Sequence, residues 1–370
     1  MPLRHGWLSR CGHYWNVSTH RRVNTNAWGC SLKPQELLMY RVGVIGCRGI
    51  GVRHAAGIAM FNNPDRAAVV AACDLVTDEI DAFKGEFPDT EITGYTDHRQ
   101  MLEKENLDIV TVATSDHAHT ALVVDAAEAG AKGIFCEKPL ATTVEDAAAM
   151  VAACERHGVV ISVDHTRRWT PIWRHGKELV DAGEIGQVQY VIGALRGPRA
   201  MLYRNGTHCI DSTCWFAGGR PVWVTGDLEE GYDDYTEYAG DGGHVPATEP
   251  GANAYIKFDN GVGGFYVGGS KKTPEPKFGT EVVGSSGRLI IESNESAILY
   301  RGTEAEIIPA PEWPVSGIEA GVQDLVQILE QGGTESISTG RDGQAVVEVI
   351  AAILASHQAG HAPIQIPQAR

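Results

Sequence analysis

Between residues 41 and 164, short apolar runs alternate with longer stretches whose apolar residues recur at helical spacing. The runs are RVGVIG (41–46), AAVVAACD (67–74), LDIVTVATS (107–115), GIFCEK (133–138) and VVISVD (159–164). Among the intervening stretches are CRGIGVRHAAGIAMF, HAHTALVVDAAEAG and VEDAAAMVAACERHG. The last opens with Thr143-x-x-Asp146, as a capping box does, and closes at Gly158. Strands that alternate with helices cannot pair as hairpins, so they build a parallel, doubly wound α/β sheet. Ligands of such sheets bind beyond the carboxyl ends of the strands. Gly46, Asp74, Ser115, Lys138 and Asp164 are therefore expected along one edge, with Thr114 and Glu137 as further candidate cofactor contacts.

After residue 185 the pattern changes to short β-branched runs with glycine turns: VQYVIGAL, PVWVTGDL, NAYIKFDNGVGGFYVGG, TEVVGSSGRLIIES and AILYRG. Helical spacing returns at 317–332 and 341–357, and PIQIP (363–367) follows. The division expected is an extension over 1–39, a nucleotide-binding domain over 40–164 and a second domain over 165–370. Residues 1–40 carry five bases and one acid, whereas 41–370 carry 26 bases against 46 acids. Arg21-Arg22 would suit an export signal, but no apolar stretch follows. The segment therefore reads as a poorly ordered appendage, with Met39 as a natural initiator. A net charge of −16 argues against a nucleic-acid partner, and no apolar run is long enough to span a membrane. Eight cysteines without dense spacing do not form a disulfide framework, and a cytoplasmic location is expected.

The first strand leads into a glycine turn and a helix, the setting in which a dinucleotide fingerprint has meaning. Gly46 and Gly51 take the first and third glycine positions; the second is Arg48, with Gly49 and Ile50 following. A helix N-terminus here would offer unpaired amides to a pyrophosphate. Asp74 ends the next strand, 28 residues after Gly46 and 23 after Gly51. An acid about 20 residues beyond the fingerprint bonds the adenosine ribose and repels a 2′-phosphate, favouring NAD over NADP. His117-x-His119 lacks a third ligand at metal spacing, so His119 is read as a helix-start residue near the cofactor, with no metal.

The stretch TSDHAHTALVVDAAEAGAKGIFCEKPLATTVEDAAAMV, centred on Glu137-Lys138-Pro139, resembles the signature of the glucose-fructose oxidoreductase / inositol dehydrogenase / rhizopine-catabolism (Gfo/Idh/MocA) family. VDHTRRWTP (163–171), GEIGQV (183–188), GTHCIDSTCWFAGGRPVWVTG (206–226) and VVGSSGRLII (282–291) resemble further family segments in order. The resemblance covers roughly residues 41–365. It implies a Rossmann domain followed by an α/β domain with a large, mostly antiparallel open sheet. It also implies a sheet face often covered by a second subunit, hence a homodimer or homotetramer.

Hydride transfer from a secondary alcohol needs a group for the hydroxyl proton, and Lys138 and His208 are the candidate catalytic pair. The family usually places an aspartate four positions before the histidine; Arg204 stands there in this chain. Asp164, Arg167, Arg204 and the Trp169 ring are candidate substrate contacts, with Arg167, Arg168 and Trp169 read as either a sugar-sized pocket or a surface arginine pair and a core indole. The expected activity is NAD-dependent oxidation of a sugar, inositol or related polyol. The alternatives are an NAD-dependent glycosidase and a non-catalytic dinucleotide-binding protein. The stretch 227–249, with eight acids and three tyrosines, reads as a solvated loop or oligomer contact, and Cys209 and Cys214 are not expected to pair.

Overall fold

A computed structural model describes residues 39–61, 65–238, 245–269, 271–272 and 277–367. The expected extension lies, apart from Met39, outside these residues. The chain runs through β1 (Tyr40–Ile45), α1 (Gly49–Ala59), β2 (Ala67–Cys73), α2 (Thr77–Glu86), β3 (Thr93–Tyr95), α3 (His98–Glu105), β4 (Ile109–Val112), α4 (His119–Glu128), β5 (Gly133–Cys136), α5 (Val144–His157) and β6 (Val160–Val163). The strands form one parallel sheet in the order β3-β2-β1-β4-β5-β6. That order places a topological switch between β1 and β4, where a crevice opens at the carboxyl edge.

Local chemistry explains the boundaries. The Thr143 hydroxyl accepts the Asp146 amide at the start of α5, and Gly158 ends the helix in the left-handed conformation. β4 is shorter than its apolar run because Thr114 and Ser115 belong to the loop that follows. β3 has two exposed residues among its three, too little apolar surface to show in a pattern. One buried cluster, including Val123, Ile134 and Met150, lies under α4 and α5. Another, including Ala55, Phe83, Phe135 and Val322, lies under α1, α2 and a helix from late in the chain.

The remainder comprises α6 (Pro171–Asp181), β7 (Val188–Arg196), α7 (Gly206–Ala217), β8 (Pro221–Leu228), β9 (Ala252–Phe258), β10 (Gly263–Val267), β11 (Lys277–Gly284), β12 (Gly287–Ile291), β13 (Ser296–Arg301), β14 (Glu304–Pro309), α8 (Ile318–Glu330), α9 (Gly340–Gln358) and β15 (Ile364–Gln365). Its nine-stranded sheet has the order β14-β13-β12-β11-β7-β10-β9-β8-β15. Only β7 and β10 pair in parallel; the other neighbours are antiparallel. α7 packs on this sheet at β7, β10 and β11, which fixes the helix that carries His208.

Chain order and packing part company at α8. Although it follows the second sheet, it packs on α1 and β5 of the first. Arg53 forms a two-pronged ion pair with Glu319, and the Gln323 side-chain amide donates to the Gly57 carbonyl at 2.8 Å. Gly57 is glycine because a Cβ there would stand 2.9 Å from the Glu319 carbonyl oxygen. Among the described residues no helix is long and apolar enough to cross a membrane. The described cysteines, Cys209 and Cys214 included, are all free thiols.

Candidate functional site

At the switch point the glycine turn is fixed by close approaches. Gly46 has φ +97°, and a Cβ on it would lie 2.3 Å from the Ala113 carbonyl oxygen beyond β4. A Cβ on Gly51 would lie 1.8 Å from the Gly46 oxygen. Gly49, at φ +30°, faces open space. Arg48 is the N-cap of α1, with extended backbone and no side-chain cap; its guanidinium points away to Glu79 at 3.1 Å. The first turn of α1 contains no acid, so the amides around Gly49 and Ile50 present an electropositive end. Asp74 sits beside this end: one carboxylate oxygen accepts the Cys47 amide at 3.0 Å, the other the Val76 amide at 3.1 Å. Thr114 and Ser115 flank the opposite side of the crevice after β4. A turn without room for side chains, an uncapped helix end and an adjacent carboxylate together fit a dinucleotide.

Farther along the edge, Lys138 follows β5, and its Nζ donates to the Arg204 carbonyl at 2.9 Å. Burial lowers the Lys138 pKa; Arg204 adds to the fall and Glu137 opposes it. His208, in the first turn of α7, is pushed well below the usual histidine range by burial and then by the charges of Lys138 and Arg167. It is neutral at neutral pH, and its Nδ1 is buried without a hydrogen-bond partner. The loop that joins the two residues is pinned from several directions. Glu249 accepts the amides of Tyr203 and Arg204 at 2.6 and 3.0 Å. The Arg204 guanidinium lies 3.5 Å from Asp116, which also accepts the Tyr238 hydroxyl.

Beneath Lys138 is a buried carboxyl pair. Glu137 accepts the Lys138 amide at 3.3 Å. Asp164, 1% exposed, lies within 4.8 Å of Glu137 and accepts the Thr166 hydroxyl at 3.0 Å. Burial, then the neighbouring Glu137 charge, holds Asp164 well above the usual carboxylate range. His54 approaches Glu137 at 3.5 Å, too far for a good hydrogen bond, and burial holds its pKa down at about 4.

Three expectations change. His119 is fully buried and does not face the crevice; its Nδ1 meets the Pro139 carbonyl at 3.0 Å, under the Lys138 turn. Trp169 offers no aromatic face to a ligand. It is 3% exposed, stacks near Phe135 and donates its indole N–H to Asp324 at 3.1 Å, because α8 closes over it. Arg168 is also internal, held in a two-pronged pair with Asp211 at 2.7 and 3.2 Å. Arg167 does reach open space, in a cavity of about 260 Å³ lined with Leu195, Arg196, Arg199, Asn205, His208 and Phe278.

The sequence reading missed Asp116, Tyr238 and Glu249, which tether the Arg204 loop, and it missed Arg196 and Arg199. Tyr238 and Glu249 fall in the acidic stretch read as a solvated loop or oligomer contact. The structure buries Tyr238 to 7% and Glu249 to 1% exposure, because each finds a polar partner near the cleft. Residues 239–244 of that stretch lie outside the described ones.

Comparison with known proteins follows the same division. Residues 40–165 match the family described as an oxidoreductase family with an NAD-binding Rossmann fold, and residues 173–290 match the GFO/IDH/MocA C-terminal domain. D-apiose dehydrogenase of Paraburkholderia graminis is 39% identical over 148 residues, 40% of this chain and 38% of that protein. scyllo-Inositol 2-dehydrogenase (NAD(+)) of Bacillus subtilis is 28% identical over 229 residues, 58% of this chain and 64% of that protein. The chain spans about half the length of the curated relatives it matches. Among solved structures, an oxidoreductase domain protein from Kribbella flavida superposes with a TM-score of 0.75 at 24% identity, covering 89% of this chain and 100% of that one. Levoglucosan dehydrogenase in complex with NADH and L-sorbose gives 0.75 at 20% identity, covering 89% and 99%. At such identities the structural likeness is one of fold, but the sequence matches run through both sheets in order: the chain belongs to the GFO/IDH/MocA oxidoreductase family.

Proposed function

We propose that this chain is an NAD-dependent dehydrogenase acting on a secondary alcohol of a sugar, inositol or related polyol. The observation that carries the reading is the junction of Lys138 with the loop that leads into the His208 helix, at the same sheet edge as the glycine turn and Asp74. The turn amides and Asp74 would hold the dinucleotide, with Thr114 and Ser115 on its other side. The nicotinamide, when bound, supplies the hydride acceptor. Lys138 accepts the hydroxyl proton, because burial brings its amine closer to working pH. His208, kept neutral, hydrogen-bonds the same oxygen rather than storing the proton. Glu137, through the Lys138 amide, orients the lysine backbone. Copies of the chain are proposed to associate through the open face of the nine-stranded sheet, where Tyr190 and Phe265 are exposed in an aromatic row with Tyr255 and Trp223.

The test is NADH formation by the purified chain over a panel of sugars, inositols and polyols. Lys138→Ala should lower turnover about 10²- to 10⁴-fold on a responsive substrate while NAD affinity stays within a few-fold. In the unmutated chain turnover should fall as pH falls, since an ammonium cannot accept the proton, and the variant should lose that dependence. NAD binding without NADH from any member of the panel would remove the dehydrogenase reading.

A further inference from the structure

We propose that the substrate carries a carboxylate, and that Arg167 binds it in the cavity beside His208; the oxidised alcohol then belongs to a sugar acid or another polyhydroxy acid. The alcohol in this statement rests on the dehydrogenase reading above, but the anion does not. Arg167 is half-buried and, among the described residues, has no hydrogen-bond or ion-pair partner. Its Nε is buried without a partner, and its guanidinium lies over the Phe278 ring at 4.4 Å. The contrast is with its neighbour Arg168, more deeply buried, which is matched by Asp211 and Asp342. A guanidinium does not escape burial by losing its proton, so an unmatched one calls for an anion.

Among the described residues, no carboxylate lines the cavity, and Arg196 stands exposed at its wall. The acids near the cleft have other partners: Asp164, whose charge acts on Arg167 from nearby, accepts the Thr166 hydroxyl, Asp116 holds Arg204 and Tyr238, Glu249 accepts two backbone amides, and Asp211 holds Arg168. In a chain with a net charge of −16, Arg167 and Arg196 thus stand together at one small opening. The cavity holds about 260 Å³, a small volume for a ligand site, and it includes both Arg167 and His208. One small molecule can therefore place its anion on Arg167 and its reacting alcohol near His208. A single half-buried fork favours a carboxylate, which it can meet with two parallel hydrogen bonds.

The experiment compares matched ligands on the full chain loaded with NAD, by calorimetry and by NADH release: D-glucuronate against D-glucose, D-gluconate against sorbitol, and D-glucose 6-phosphate as the other anion. The acid of at least one pair should bind roughly 30-fold or more tightly than its neutral partner and should be the member oxidised. Arg167→Gln should erase the difference by weakening the acid alone, with NAD affinity as the check that the variant is folded. Arg167→Lys should retain part of the preference. Equal binding within every pair, or no binding of any acid while NAD is bound, overturns the proposal. Preference for the phosphate over both acids overturns the carboxylate. Oxidation of the neutral members alone overturns the anion and leaves the dehydrogenase standing. Tight binding of an acid that is never oxidised supports the anion site and removes the dehydrogenase reading instead.

Discussion

The glycine turn and the Arg204 loop meet the same crevice, yet they are built on different principles. The turn works through main-chain geometry: Gly46 and Gly51 have no space for a Cβ, and the amides of α1 point outward. The loop works through charged side chains that hold one another: Arg204 on Asp116, Glu249 on two amides, Arg168 on Asp211. A site made from backbone tolerates little change of shape. A site made from matched charges tolerates little change of charge.

The largest effect should come from Gly51→Ala, which puts a carbon 1.8 Å from a backbone oxygen that no side-chain rotation can move. It should abolish measurable NAD binding and lower Tm by several degrees. Gly49→Ala, facing open space at φ +30°, should cost only about 1 kcal/mol, and calorimetry with NAD separates the two. If both variants bind alike, the turn is not limited by shape. Asp211→Ala comes next. It leaves Arg168 buried without its main partner and should cost about 3–5 kcal/mol in urea unfolding, although Asp211 lines neither the turn nor the cavity. Asp74→Ala follows. It removes one charge-assisted contact to the ribose and should weaken NAD about ten- to a hundred-fold while narrowing its lead over NADP. Stronger NADP than NAD binding by the unmutated chain would reverse that assignment.

The same contrast explains what could be read from the residues alone. The parallel sheet, the turn and Asp74 obey local rules: glycine spacing, strand length and the acid at the next strand end; Lys138 stands out through the resemblance of its Glu-Lys-Pro stretch to the family. The tethers of the second half obey none. Tyr238 reaches Asp116 across 122 positions, and Glu249 reaches Tyr203 across 46, so a run of acids reads as a solvated loop until its partners are in place. Trp169, after two arginines, reads equally as a sugar-facing ring and as a core indole; only its packing decides for the core, where a Cβ on Gly321 of α8 would stand 3.1 Å from the ring. Arg196 and Arg199 become informative only when β7 brings them beside Arg167 and His208.

The return of α8 to the first sheet also sets a schedule. Gly57 and Gln323, like Arg53 and Glu319, are 266 residues apart. At ribosomal speeds of about 5–20 residues per second, the groove along α1 waits roughly ten seconds to a minute for the helix that covers it. Throughout that interval the nascent chain displays apolar surface around Ala55 and Phe135 that α8 later buries. The nucleotide-binding sheet, although encoded first, reaches its finished form only after the second sheet has been made, and holdase chaperones have that long to find it.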